Sequence, residues 1–71
     1  MDPRDAILEF VRLWGAHFGP RRDVTPDEFR VFQARTSMRY PSLTPAVMCL
    51  DHNETPTIYR LLKREALRAV A

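Results

Sequence analysis

The sequence predicts an all-α, compact domain of three to four helices, and two observations support that prediction. Aspartate or threonine followed by proline occurs four times, at Asp2-Pro3, Thr25-Pro26, Thr44-Pro45 and Thr55-Pro56. These pairs favour helix starts, because the Asp or Thr side chain caps free backbone N–H groups and proline is tolerated at the first helical position. After three of the pairs, apolar residues recur every three or four positions, the period of a helix with one buried face. With no repeat or linker, we expect a single helical domain over 1–71.

The first helix is predicted over residues 3–16. Gly15 and Gly19 are expected to end it, and in the loop 17–24 that follows, Phe18 is expected to fold back over the core. The core face of the helix is formed by apolar side chains at helical spacing, namely Ile7, Phe10, Val11 and Trp14.

Thr25-Pro26-Asp27-Glu28 is the most specific local motif in the chain. Threonine at the cap and glutamate three residues later make a capping box, in which each side chain accepts a hydrogen bond from the backbone N–H of the other residue. Val24 and Phe29 flank the motif and can form a hydrophobic staple. The second helix is therefore predicted over 26–35, with Phe29 and Phe32 facing the core.

The middle of the chain is less regular. Residues 36–44 are polar and interrupted by Pro41, so we expect a loop there. Residues 45–50 contain a short apolar run that fits either a short helix or a buried strand. Cys49 lies in this run and is expected to be buried and unreactive. A last helix is predicted over 56–70, and its core face is expected to consist of Ile58, Leu61, Leu62, Ala66 and Ala69.

Composition excludes several classes of protein. The chain is 45 % hydrophobic and 28 % charged, which is typical of a globular rather than a disordered chain. No apolar run approaches the roughly 18 residues that a membrane span needs. The N-terminus lacks the features of a signal peptide, and the single cysteine, Cys49, suits a reducing compartment. We therefore expect a cytoplasmic protein that makes no membrane contact.

The residues with reactive side chains do not combine into a catalytic or metal site. A nucleophile needs a nearby base, and that base needs an orienting group. Cys49 and His52 have a C-x-x-H spacing that His17 could join, but a structural zinc site needs a second ligand pair, which the sequence lacks. Asp27 and Glu28 are explained by helix capping. We therefore expect no enzyme activity, no metal and no cofactor.

The excess of basic over acidic residues lies in the second half of the chain. The net charge is +2, but residues 36–71 carry five basic and three acidic side chains, whereas residues 1–35 carry six of each. Ten of the eleven basic residues are arginine, which suits bidentate contacts with phosphate and guanine. A GC-rich genome, as in actinobacteria and their phages, is the simpler explanation of that preference. The candidate DNA-binding residues are Arg39, Tyr40, Ser42, Thr44, Arg60, Lys63, Arg64 and Arg68.

Two simpler interpretations stand beside the DNA-binding one. The hydroxyl and proline residues of 36–44 are also those of an ordinary solvated loop. Arg21 and Arg22 could reach phosphates, but two solvated loop arginines are the simpler interpretation.

Three groups of residues occur in an order that carries a family resemblance: Asp5-Ala6-Ile7-Leu8-Glu9-Phe10 with Trp14; Glu28, Phe32, Ser37, Arg39-Tyr40 and Leu43; and Pro56 before Arg60-Leu61-Leu62. In this order the chain resembles a family of small actinobacterial and mycobacteriophage proteins of unknown function that is described only as helix-turn-helix-like. The resemblance implies that Ser37, Arg39 and Tyr40 begin a recognition helix. Pro41 stands where that family usually has a second tyrosine, and Pro45 would break a helix that starts near Ser37.

Two functions are expected as alternatives. The first is a helix-turn-helix-like DNA-binding regulatory protein, acting as a homodimer because one small module buries little DNA surface. The second is a protein-interaction module, such as a phage-encoded modifier of a host protein or a homo-oligomeric adaptor. Arg39 on the same face as Arg60 and Arg64 would favour DNA. A surface of mixed charge with an apolar patch would favour a protein partner.

Overall fold

The computed structural model describes residues 2–70, except for the side chains of residues 69 and 70. The described residues contain no strand, so the predicted all-α class is confirmed and the strand alternative for 45–50 is wrong. The predicted short helix ends at Val47 rather than Leu50. The elements in chain order are α1 (Pro3–Phe18), α2 (Pro26–Arg39), a 3-10 helix (Pro41–Leu43), α3 (Thr44–Val47), a second 3-10 helix (His52–Glu54) and α4 (Thr55–Val70).

Side-chain caps define the starts of α1 and α2, as predicted. The Asp2 carboxylate accepts a hydrogen bond from the backbone N–H of Arg4 at 2.8 Å. At α2, the backbone N–H of Glu28 donates to Thr25 Oγ1 at 3.2 Å, and the backbone N–H of Thr25 donates to Glu28 Oε1 at 3.2 Å. These bonds satisfy N–H groups that a helix start leaves without a backbone partner.

The two later threonine-proline pairs begin helices in a different way. Thr44 and Thr55 have helical backbone angles and are the first residues of α3 and α4. Their hydroxyls donate to the carbonyl oxygens of Ser37 and His52 and accept no bond from the helix start. The side-chain caps predicted at these two positions are therefore wrong.

α1 continues two residues beyond its predicted end. It passes through Gly15, which therefore serves packing rather than termination. A Cβ atom at Gly15 would lie 2.6 Å from Leu62 Cδ1, so the Leu62 side chain of α4 occupies the space that a side chain at position 15 would take. The helix ends at Gly19, whose φ of 64° is one that glycine adopts readily. Phe18 is thus the last residue of α1 and is buried there, not folded back from a loop.

α2 continues four residues beyond its predicted end, and the loop expected at 36–44 is largely helical. The helix continues because its core face does: Thr36 is buried, and the buried Gln33 side chain donates to the carbonyl oxygens of Val47 at 2.7 Å and Leu50 at 2.8 Å. Helix α2 stops at Arg39, since the proline that follows Tyr40 disfavours a helical conformation at Tyr40.

Aromatic rings fill the space between α1 and α2. Trp14 is 0 % exposed, and its ring centroid lies 5.5 Å from that of Phe29 and 5.6 Å from that of Phe32. The Phe10 centroid lies 5.4 Å from that of Phe32. Helix α3 packs against both α1 and α2. Val24 is also buried, as a hydrophobic staple with Phe29 requires.

α4 packs on α1, but only its first half reaches the core. Ile58 is buried as predicted, whereas Leu61 and Leu62 are half-buried. The predicted core residue Ala66 is exposed, and the prediction for Ala69 concerns a side chain outside the described part of the structure. Among residues 2–70, no helix has the length and apolar character that crossing a lipid bilayer requires.

Candidate nucleic-acid interface

The outer face of α4 carries three exposed basic residues, Arg60, Lys63 and Arg64. At about 100° per residue, they fall within an arc of about 100° on the side of the helix away from α1. We call this surface the α4 basic arc. Leu67 lies in the middle of the same arc, one turn further on, and is 63 % exposed.

Acidic side chains do not neutralise the α4 basic arc. Glu65 points towards α1, with its side chain only 19 % exposed, and pairs with Arg12 at 3.5 Å and with Arg68 at 3.8 Å. The ion pairs found within residues 2–70 include none of the three arc residues. Arg68, a predicted phosphate contact, instead shares Glu65 with Arg12. The arc therefore presents cations that remain available to an anionic partner.

Arg22 extends this basic surface, and the sequence prediction did not include it. Its guanidinium lies over the ring of Tyr59, 5.5 Å from the ring centroid, and Lys63 follows Tyr59 by one helical turn. This cation–π contact fixes Arg22 at the edge of the arc. Only the folded chain brings Arg22 to α4, because residues 22 and 59 are far apart in the sequence.

Arg21, in contrast, has a structural role. Its guanidinium donates to both carboxylate oxygens of Glu28, at 2.9 and 3.0 Å, and to Asp23 at 3.0 Å. The hydrogen bond from Arg21, together with that from the backbone N–H of Thr25, lowers the pKa of Glu28 from 4.5 to about 2. Arg21 also lowers the pKa of Asp23, and these two acids raise the pKa of Arg21 itself. Arg21 thus ties the loop to the capping box of α2 and is not available to a phosphate.

The placement implied by the family resemblance is wrong for Ser37, Arg39 and Tyr40. Ser37 and Arg39 lie in the last turn of α2 and Tyr40 follows it, so they do not begin a recognition helix. The next α-helix, α3, has four residues and is about 6 Å long at 1.5 Å per residue, which is too short to lie along a major groove.

The remaining predicted contacts near α2 have different environments. Arg39 is exposed, and its guanidinium lies 5.7 Å from the centroid of the Tyr40 ring. Ser42 is exposed within the first 3-10 helix. Thr44 Oγ1 donates to the carbonyl oxygen of Ser37 at 3.3 Å, so this hydroxyl is used within the fold.

The predicted contact residues lie on two opposite sides of α1. Arg39 and Tyr40 line a groove that includes Leu13 of α1, whereas α4 packs against α1 at Gly15. Positions two residues apart in a helix project about 160° from each other. The structure therefore brings Arg60, Lys63 and Arg64 together and leaves Arg39 and Tyr40 on the other side of α1. The arrangement expected to favour DNA, with Arg39 on the same face as Arg60 and Arg64, is thus not found.

Cys49, His17 and His52, the residues considered for catalysis or metal binding, have separate environments. Cys49 is exposed, not buried as predicted, because α3 ends before it; its thiol donates to the carbonyl oxygen of Pro45 at 3.2 Å. His52 Nε2 donates to the carbonyl oxygen of Val24 at 2.6 Å. The ring of His17 stacks on Phe32, with centroids 5.1 Å apart. Residues 2–70 contain no group of three or more His, Cys, Asp or Glu side chains placed to hold a metal ion.

No family model, curated protein or solved structure matches this chain. The resemblance to the helix-turn-helix-like family therefore stays a prediction.

Proposed function

We propose that this chain is a small DNA-binding regulatory protein that contacts the phosphate backbone through the α4 basic arc. The observation that carries the proposal is the arc itself, formed by Arg60, Lys63 and Arg64 with no acidic partner among the described residues. Lysine and arginine side chains on one helix face are the groups that neutralise phosphates and supply most sequence-independent affinity. Arg22, beside Tyr59, adds a fourth cation to the same surface.

The proposed mode of binding differs from that of a helix-turn-helix reader. Residues 37–44 offer no helix long enough to enter a major groove. The arc supplies phosphate contacts, which position a protein on a duplex without reading its sequence. Arg39 and Tyr40 lie on the other side of α1 and are not part of the proposed contact surface.

Salt dependence of binding tests the proposal. A fluorescent DNA duplex titrated with the full chain between about 50 and 200 mM salt should give a slope of log K against log salt of about −3.6 for four phosphate contacts. No binding at the lowest salt, or binding without a salt slope, would contradict the proposal.

A matched pair of variants locates the contact. Arg60→Glu with Lys63→Glu should weaken binding by about tenfold or more, because two phosphate contacts are lost and two repulsive charges are added. Arg30→Glu with Arg35→Glu changes the net charge equally but alters exposed residues of α2 outside the arc. Equal loss of affinity in both double variants would show that binding reflects overall charge and not the arc.

Protein interaction is the second candidate function, and one feature of α2 favours it. Val31, Ala34 and Met38 recur at helical spacing on its outer face, and Val31 is 51 % and Met38 83 % exposed. Exposed apolar side chains on one helix face are typical of contact surfaces. In a pull-down from a nuclease-treated host lysate, a protein partner should remain bound, whereas a protein bridged by DNA should be lost.

A further inference from the structure

The N-terminal half of α1 and residues 61–68 of α4 line an open depression of about 620 Å³. Its floor is apolar and consists of Ile7, Leu8 and Leu61, each of which is only half-buried. The volume lies within the range of about 300–1,000 Å³ that is usual for ligand pockets. We call this depression the α1–α4 seam. Its apolar floor is large enough to receive an apolar side chain of a partner.

The rim of the seam is strongly basic. Arg4, Arg64 and Arg68 line it, and Glu65 is the acidic residue beside them. Glu65 is shared between Arg68 and Arg12, and the ion pairs within residues 2–70 include neither Arg4 nor Arg64. The seam therefore combines an apolar floor with an excess of positive charge.

Charge decides which occupant fits. A second copy of this chain seated in the seam by twofold symmetry would bring the same arginines together, and their repulsion opposes that arrangement. A nucleic-acid backbone satisfies the arginines but leaves Ile7, Leu8 and Leu61 uncovered. A segment with carboxylates and an apolar side chain satisfies both, because arginine binds carboxylates with paired hydrogen bonds.

We propose that the α1–α4 seam docks an acidic segment of a partner protein that inserts an apolar anchor between Ile7, Leu8 and Leu61. This inference does not rest on nucleic-acid binding and uses a different side of α4. The two surfaces share only Arg64, so an acidic partner seated in the seam competes with DNA for that side chain.

The probe for this proposal is a fluorescent helical peptide of about 15 residues, in which Leu occupies one face and Glu the others. Methyl signals of the full chain report where it binds. The peptide should shift the methyl resonances of Ile7, Leu8 and Leu61 and leave that of Val31 on α2 unchanged. A peptide with Gln in place of Leu, and one with Lys in place of Glu, should each bind at least about tenfold more weakly.

Two single variants separate this proposal from the proposed function. Arg4→Glu lies in the seam and outside the α4 basic arc, so it should weaken peptide binding by about tenfold and leave DNA binding nearly unchanged. Arg60→Glu should do the reverse. Both residues are exposed, so both variants should fold, which the dispersion of their methyl spectra checks.

Four outcomes would overturn the seam proposal. The first two are methyl shifts confined to other surfaces and equal binding of the Gln-substituted peptide. The other two are normal peptide binding by the Arg4→Glu variant, and anionic lipid vesicles that shift the methyl signals of the seam as strongly as the peptide does. Absence of DNA binding would leave each of these readouts intact, so failure of one proposal is distinguishable from failure of the other.

Discussion

The two halves of α4 have different surroundings although they belong to one continuous helix. In the first half, Thr55, Ile58 and Tyr59 are buried against the rest of the fold. Leu61 and Leu62, at the end of the first half, are half-buried, whereas Lys63, Arg64 and Leu67 in the second half are exposed. The first half holds the helix in place and the second presents charge. Substitutions in the second half should therefore change binding without unfolding the domain.

Matched truncations on α4 test this comparison and give the largest expected effect. Ile58→Ala should lower the free energy of unfolding by about 2–5 kcal/mol, because it leaves a cavity in the core. Leu67→Ala, nine residues later on the same helix, should change it by no more than about 0.5 kcal/mol. Urea denaturation followed by circular dichroism measures both. Similar losses would show that the second half of α4 is covered in solution.

Gly15→Leu tests how closely α4 packs on α1 at Leu62. A side chain here collides with Leu62, since a Cβ atom alone would lie 2.6 Å from Leu62 Cδ1. Overpacking of this kind costs about 1–3 kcal/mol, and the better helix propensity of leucine offsets about 0.5–1 kcal/mol of that cost. The control is Ala16→Leu at the next, exposed position, where the same side chain should have little effect on the thermal midpoint. A Gly15→Leu protein as stable as the wild type would mean that α4 does not pack closely at this point.

Thr25→Ala tests the start of α2, which lies near the start of α4. The start of α2 and the start of α4 line one shallow depression that includes Thr25, Thr55 and Tyr59. Loss of the threonine cap should lower the free energy of unfolding by about 1 kcal/mol. Thr57→Ala, an exposed position within α4, provides the control in the same denaturation measurement. No loss in Thr25→Ala would contradict the capping box.

The smallest expected effect is on the pH dependence of the free energy of unfolding in acid. Because the pKa of Glu28 is lowered in the folded chain, its contribution to stability is fully present above its ordinary value of 4.5 and is lost as the pH falls from 4.5 towards 2. Glu28→Gln should therefore make the free energy of unfolding less dependent on pH across this window. Glu9→Gln on α1 is the control. Identical pH profiles of wild type and Glu28→Gln would show that the Arg21–Glu28 contact is absent in solution.

The starts of α1 and α2 could be predicted from the sequence because their capping is local. The bonds at Asp2 and Thr25 involve residues two or three positions away, so the short motif already contains both partners. The capping box at Thr25 even identified Glu28, the residue that Arg21 binds.

Helix ends and exposure could not be predicted in the same way, because they depend on distant residues. α2 reaches Arg39 because Gln33 and Thr36 meet a buried environment supplied partly by residues 47 and 50. Cys49 follows α3 and faces solvent although its neighbours in sequence are apolar. The α4 basic arc could likewise be predicted only in part. Arg60, Lys63 and Arg64 are close together on one helix, whereas Arg22 lies beside them only because the fold brings it to Tyr59.

The close contact between Gly15 and Leu62 also constrains how this sequence can diverge. A larger residue at position 15 requires that the Leu62 side chain turn away or be replaced by a smaller one, so we expect these two sites to vary together in relatives that keep the same packing of α4 on α1. Arg60 and Arg64, which form no ion pair among the described residues, carry no such coupling. Covariation of positions 15 and 62, rather than retention of the basic residues, is therefore the mark by which distant relatives of this fold should be recognised.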